Sequence, residues 1–244
     1  MTQVSQRKRI WGWYFFDWAS QPYNTLLLTF IFGPYFTSTL SGNLIAEGMA
    51  EGAAQAQAQA SWGWGLAIAG IFIALLAPVL GAIADNSGRK LPWIWLFSAM
   101  YFIGSGALWW TAPQDFSVLW ALFFFGIGLI GMEFATIFTN SYLPELHDDP
   151  AELGRISGSG WAFGYIGGLV ALLMMLGLFQ ATSSGNTMAG IAPLFGLDPA
   201  TGGDTRIVGP LSAIWFAVFI IPFCIYTRDN TPTGAPRLLV KQSL

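Results

Sequence analysis

The chain has 244 residues and a formal net charge of −3, and its composition is 54% hydrophobic but only 9% charged. An average soluble domain carries about 25% charged residues, so a water-soluble domain of this size would need a far more polar surface. The composition excludes an ordinary soluble globular protein, and the sequence shows no basic patch of the kind that binds nucleic acid.

Six long apolar stretches predict six membrane-spanning helices. Each has at least about the 20 residues needed to cross about 30 Å of hydrocarbon at about 1.5 Å per residue. In chain order the predicted spans are residues 10–36, 61–84, 93–112, 116–138, 156–179 and 207–226. The predicted fold class is an all-α membrane protein, with a bundle over residues 1–228 and a polar cytoplasmic tail over residues 229–244.

The lysines and arginines predict the orientation of this bundle. When the chain is cut at the six spans, nine of its ten Lys and Arg residues lie on the side of the N-terminus, and only Arg206 lies opposite. Because short cytoplasmic loops retain Lys and Arg, we expect both termini in the cytoplasm. Tryptophans cluster at the predicted span ends, where indoles favour the headgroup region, although ordinary core packing is the alternative interpretation.

Outside the spans, the sequence predicts loops and no cofactor site. The first outside loop, residues 40–60, ends in an alternating Ala and Gln run that either extends the second helix or forms a flexible linker. His147 is the only histidine and Cys224 the only cysteine, and neither has a cluster of potential metal ligands near it in the sequence. We therefore expect no metal site, no cofactor and no enzyme activity.

Two carboxylates, Asp17 and Glu133, fall inside predicted spans. An acidic residue at a helix centre costs about 2.5–3.5 kcal/mol on insertion scales, so such residues usually face a bundle interior or a wet cavity. The functional interpretation is a pathway for a solute or a proton, and the structural one is hydrogen bonding between helices. Helical spacing extends each carboxylate into a polar stripe, made of Asp17, Gln21 and Asn24 on the first helix and of Glu133, Thr136 and Asn140 on the fourth.

The turn after the second predicted span carries the strongest local motif. Its spaced residues are Gly81, Asp85, Gly88, Arg89 and Lys90. This pattern resembles the G-x-x-x-D-x-x-G-R-K signature between helices two and three of the major facilitator superfamily. The resemblance implies a fold of two six-helix halves, in which this loop acts as a conformational latch between the halves.

Three segments resemble one branch of that superfamily more narrowly. They are residues 13–24 (WYFFDWASQPYN), 140–146 (NSYLPEL) and 157–168 (SGSGWAFGYIGG). They are similar to the vacuole-effluxer-like branch, also called the unknown major facilitator family. Its fungal vacuolar members are linked to amino-acid export, whereas most bacterial members have no assigned substrate.

The chain also departs from common superfamily patterns. The fourth predicted span has no arginine where many proton-coupled members carry one, so proton coupling by the usual relay is not expected. The fifth lacks the proline of the drug-antiporter motif. Its Gly160, Gly164 and Gly168 recur at i+4 spacing, which predicts a smooth stripe for close helix packing.

These features predict one half of a secondary transporter in a lipid bilayer, most simply a bacterial inner membrane. The expected cargo is a small polar solute, with an amino acid as the candidate that the resemblance suggests. The expected partner is a second six-helix half, either a missing C-terminal half or a second copy in a parallel homodimer. The alternative function is a non-transporting membrane scaffold derived from a transporter half.

Overall fold

The computed structural model describes residues 4–86 and 89–229, and it contains helices and turns without a strand in those ranges. Gly88 and all of the predicted tail except Asp229 lie outside the described residues. The helices are α1 (Gln6–Pro22), a π-helical segment (Tyr23–Phe30), α2 (Phe32–Ala46), α3 (Glu51–Asn86), α4 (Leu91–Ala107), α5 (Val118–Asn140), α6 (Pro150–Leu178), α7 (Gly203–Arg206), α8 (Val208–Phe219) and α9 (Ile221–Tyr226).

In the described part of the chain, five helical stretches are long and apolar enough to cross a membrane. They are Glu51–Asn86, Leu91–Trp110, Val118–Glu145, Pro150–Leu178 and Gly203–Tyr226. The first predicted span, residues 10–36, differs because it is divided among α1, the π segment and the start of α2. Its helical path continues to Ala46, since Ile31 N donates to Leu26 O at 2.9 Å and Tyr35 N donates to Ile31 O at 3.0 Å.

The Ala and Gln run belongs to a helix. Residues 51–60 form the first turns of α3, which has 36 residues. The loop that was predicted over residues 40–60 is therefore limited to residues 47–50. Alanine and glutamine are both strong helix formers, which accounts for this extension. Of the two interpretations of the run, the structure shows the helical one.

Glycines allow the closest helix contacts in the bundle. A Cβ placed on Gly104 of α4 would lie 2.5 Å from the backbone nitrogen of Gly128 on α5, so the two backbones touch where neither residue has a side chain. Buried aromatic rings fill the space beside this crossing. Tyr101 stacks on Phe216 of α8 with ring centroids 4.1 Å apart, and Tyr23 lies 5.0 Å from Tyr101. The core therefore sits where the π segment meets α4, α5 and α8.

Apolar side chains also cover the outer surface of the bundle. In the most apolar 18-residue stretch of α3, only 6% of the residues are buried. Trp64 and Leu75 on this helix are 70% and 71% exposed. A soluble monomer rarely exposes an apolar surface of this extent. The exposed face of α3 fits a hydrocarbon surrounding or a protein partner in the membrane.

Candidate functional site

A cavity of about 780 Å³ opens between α1, the π segment, α5 and α6. The two polar stripes line it together, although they lie more than 100 residues apart in the sequence. All six residues of the predicted pathway contribute to its wall: Asp17, Gln21, Asn24, Glu133, Thr136 and Asn140.

Asp17 lies in the α1 wall of the cavity, pressed against α6. A Cβ on Gly164 would lie 3.1 Å from the Asp17 Cβ, so the absence of a side chain at Gly164 lets α6 approach the carboxylate. The Oδ2 atom of Asp17 is buried, and no hydrogen-bond partner reaches it from the described residues. A buried polar atom without a partner costs about 1–3 kcal/mol, so Asp17 keeps a hydrogen-bonding capacity that the described residues do not use.

Glu133 lies in the opposite wall, on α5, where it is half-buried. Next to it, Thr136 Oγ1 donates to the carbonyl oxygen of Met132 at 2.8 Å, and the Met132 Sδ atom lies 3.9 Å from Asn24 Nδ2. Met132 therefore connects the π segment to α5 beside the carboxylate. Asn140, the last residue of α5, is exposed at the end of the same wall.

The π segment shapes the cavity between these walls. Pro22, the residue before it, has no backbone N–H and disturbs the regular α-helical ladder. Tyr23 anchors the segment, because its Oη atom donates to Phe125 O on α5 at 2.5 Å, and Thr29 Oγ1 donates to Asn24 O at 2.8 Å. Wide π turns inside helices are frequent at functional sites.

Several lining residues were not predicted from the sequence. Thr25 and Thr29 continue the i+4 series that begins at Gln21, and extending the first stripe by two turns would have found them. Trp161 and Tyr165 line the α6 side, where they flank Gly164. Their place in an apolar, glycine-rich segment gave no signal of a cavity wall.

The glycine stripe of α6 faces α1 and the start of the π segment. A Cβ on Gly160 would collide with the Trp13 ring, and one on Gly168 would collide with Thr25 Oγ1 and lie 2.8 Å from Gln21 Cγ. Two of the residues that the stripe faces, Asp17 and Gln21, belong to the first polar stripe. The close approach of α6 thus helps to hold one wall of the cavity in place.

A second polar region, which we call the charged cluster, lies at the α4 N-terminus. Lys90 Nζ donates to Glu145 Oε1 and to Ser141 O, both at 2.8 Å, and its own backbone N–H donates to Asp229 Oδ1 at 2.9 Å. Lys90 is only 8% exposed. The cluster comprises Arg9, Lys90, Tyr142, Glu145 and Asp229, in which Tyr142 donates to Asp229 and Arg9 Nη2 lies 3.7 Å from Glu145 Oε2.

The charged cluster includes one of the predicted latch residues, Lys90. Lys90 belongs to it by the contacts given above, Asp85 and Arg89 are exposed, and Gly81 is half-buried in the last turns of α3. Sequence reasoning missed Glu145 and Asp229. Their contacts with Lys90 join positions 55 and 139 residues apart, which no local pattern reveals.

The described residues offer no metal-binding constellation. No group of three or more His, Cys, Asp and Glu side chains lies close enough together in residues 4–86 and 89–229 to hold an ion. The cavity walls carry carboxylates, amides, hydroxyls and aromatic rings. Such a lining can bind a polar solute by hydrogen bonds and charge.

Comparison with known proteins gives two findings. Residues 5–242 match the family model described as "Vacuole effluxer Atg22 like". The chain is also 22% identical, over 219 residues, to the "Uncharacterized MFS-type transporter YxiO" of Bacillus subtilis (strain 168). That match covers 90% of this chain and 46% of the relative, so the chain spans about half the length of that protein. No solved structure matches the chain.

Proposed function

The chain belongs to the vacuole effluxer Atg22-like family, and from that premise we propose that it forms one six-helix half of a secondary transporter. It is an integral membrane protein with long apolar helices, and its family consists of transporters rather than enzymes. In the proposed arrangement, α1, the π segment and the start of α2 make up the first span. Both termini lie in the cytoplasm, and the membrane is a bacterial inner membrane.

The observation that carries this proposal is the cavity between the two polar stripes. It has room for a small solute, and its polar groups come from helices that pack side by side around it. In the proposal the cargo is a small polar solute such as an amino acid. Asp17 orients its amino group, Gln21 and Asn24 hydrogen-bond to it, and Glu133 provides a second polar or protonatable contact.

Transport across the membrane needs a second bundle, which we propose to be another six-helix half. In this superfamily the halves are related by an axis along the membrane normal, and the binding site lies between them. The partner is either the C-terminal half of a longer protein or a second copy in a parallel homodimer. Rocking of the two bundles opens the cavity to each side in turn, and the loop that contains Asp85, Gly88, Arg89 and Lys90 serves as the latch.

Counterflow in proteoliposomes tests the proposal. The complete assembly is reconstituted, and the exchange of labelled amino acids is compared between the wild type and the variants Asp17→Asn and Glu133→Gln. Both variants should lose most of the exchange, because each removes a charged contact from the cavity. Glu51→Gln is the matched control, since Glu51 is an exposed carboxylate at the start of α3 that does not line the cavity.

Two outcomes would contradict the proposal. Unchanged exchange of every transported solute in Asp17→Asn and Glu133→Gln would show that the stripes do not contact the cargo. An assembly without exchange of any solute would favour the scaffold interpretation.

A further inference from the structure

The cavity lining combines two carboxyl groups with no basic side chain from the described residues. Asp17 and Glu133 contribute two carboxylates, and among residues 4–86 and 89–229 no lysine, arginine or histidine lines the cavity. The remaining polar lining groups are uncharged amides and hydroxyls. A solute that enters the cavity therefore meets two acidic side chains and no basic one from the described part of this half.

Three cations of the described chain pair with carboxylates outside the cavity lining. Arg9 and Lys90 form ion pairs with Glu145, and Arg155 pairs with Glu152 at 2.7 Å. Across the described ranges, no ion pair reaches Asp17 or Glu133. The two cavity carboxylates thus differ from Glu145 and Glu152, whose charges are balanced within the protein.

Two aromatic rings of α6 line the same cavity as Asp17. Trp161 and Tyr165 are 56% and 57% exposed, with ring centroids 6.0 Å apart and planes inclined by 54°. Gly164 lies between them in sequence and holds the Asp17 Cβ against α6. A carboxylate with exposed aromatic faces beside it is the combination that binds ammonium groups, through charge and through the ring quadrupole.

From this arrangement, and resting on the proposed function, we propose that the cavity binds an organic cation. Its ammonium group lies against Asp17 and the rings of Trp161 and Tyr165, and its apolar body lies along Phe30, Leu169 and Leu172 of the same lining. Glu133 adds a second negative charge in the opposite wall. A carboxylate on the ligand would find no cationic side chain in the described lining, so an amino acid would need a cation supplied by the second half.

Binding of three probes that differ mainly in charge tests the inference. The full chain in neutral maltoside detergent is titrated by calorimetry with benzyltrimethylammonium, with phenylalanine and with 3-phenylpropionate. We expect the cation to bind most tightly, the zwitterion more weakly and the anion not at all. Asp17→Asn should weaken binding of the cation by about 10- to 100-fold, the range for losing one contact with a charged group.

Trp161→Leu supplies a second variant that leaves the carboxylates in place. It should weaken cation binding by about 2- to 5-fold, as expected for the loss of one cation–π contact. Trp64→Leu is its matched control, because Trp64 is exposed on α3 and does not line the cavity. Glu51→Gln controls in the same way for Asp17→Asn.

The outcomes separate this inference from the proposed function. Tighter binding of phenylalanine or 3-phenylpropionate that still depends on Asp17 would overturn the cation preference and keep the solute site. Cation binding that is equal in the wild type and Asp17→Asn would overturn the inference. Absence of binding by all three probes would also overturn it, and the counterflow experiment would then decide the proposed function by itself.

Discussion

The carboxylates of the charged cluster have ion-pair and hydrogen-bond partners within the protein, whereas no ion pair reaches those of the cavity in the described residues. In the cluster, Glu145 pairs with Lys90 and Arg9, and Asp229 accepts hydrogen bonds from two backbone N–H groups and from Tyr142. In the cavity, Asp17 has a buried oxygen without a partner. The cavity lies between α1, the π segment, α5 and α6, whereas the cluster lies at the α4 N-terminus and in the segments that follow α5 and α9.

This difference indicates a structural role for the side chains of the charged cluster and a ligand-binding role for the carboxylates of the cavity. A buried charge that is fully paired is costly to disrupt, because removing one partner leaves the other uncompensated. A buried charge that is unpaired costs stability in the resting protein, and proteins retain such groups chiefly for function. The charged cluster should therefore affect folding most, and the cavity should affect transport most.

Removing the charge of Lys90 should have the largest effect on stability. Lys90→Met keeps the length of the side chain but leaves Glu145 without its closest cation and Ser141 O without a donor. The unfolding free energy should fall by about 2 kcal/mol, less than for a fully buried pair, because the Glu145 side chain is 26% exposed. Titration of the purified chain with sodium dodecyl sulfate in mixed micelles measures this change.

The control for this variant is Arg155→Met. Arg155 pairs with Glu152 across one helical turn, and its side chain is 76% exposed. An exposed pair of this kind contributes about 0–1 kcal/mol, so the unfolding midpoint should barely move. Equal effects of Lys90→Met and Arg155→Met would mean that the charged cluster is not a structural element.

A substitution in the glycine stripe should have an effect comparable to that of Lys90→Met. In Gly160→Ala the added methyl meets the Trp13 ring, which cannot easily yield because it is buried and its Nε1 donates to Thr139 O at 3.2 Å. Overpacking of this kind costs about 1–3 kcal/mol. The same detergent titration should show the loss of stability.

Gly158→Ala provides the matched comparison in the same helix. Nothing lies within 4 Å of a Cβ at Gly158, so alanine should raise stability by up to about 1 kcal/mol through helix propensity. The two substitutions should thus have opposite signs. If both raise stability, the contact between α1 and α6 is looser than the structure shows.

The smallest effect on stability is expected at the cavity itself. Asp17→Asn removes a charge that no ion pair compensates in the described chain, so the unfolding free energy should stay within about 1 kcal/mol of the wild type or rise. The same variant should lose transport in the counterflow experiment. A large loss of stability would instead make Asp17 a structural residue of the bundle.

The polar stripes could be predicted from the sequence, whereas the aromatic wall of the cavity could not. Asp17 and Asn24 could be placed on one face because helical periodicity is local, and Glu133 and Thr136 followed by the same rule. The wall formed by Trp161 and Tyr165 could not, because aromatic residues in an apolar span have no distinguishing pattern. The meeting of the two stripes in one cavity required the superfamily resemblance or the structure.

Some features of the helices could likewise be predicted from the sequence, and others could not. Apolar length predicted the positions of the five long stretches, because crossing hydrocarbon sets a minimum number of residues. The π segment in the first predicted span has no such signature, and only Pro22 hints at an irregular turn there. The contacts of Lys90 with Glu145 and Asp229 depend on how three distant loops converge, which composition and spacing do not encode.

Water access at Asn24 tests whether a solute cavity lies between the two polar stripes. With Cys224 replaced by serine, Asn24→Cys is compared with Val218→Cys, whose position on α8 is exposed but does not line the cavity. A cationic, membrane-impermeant methanethiosulfonate is applied to each face of the membrane containing the assembled protein. We expect the cysteine at position 24 to react from at least one face and the cysteine at position 218 to stay protected. Protection of position 24 from both faces would contradict a solute cavity between the polar stripes.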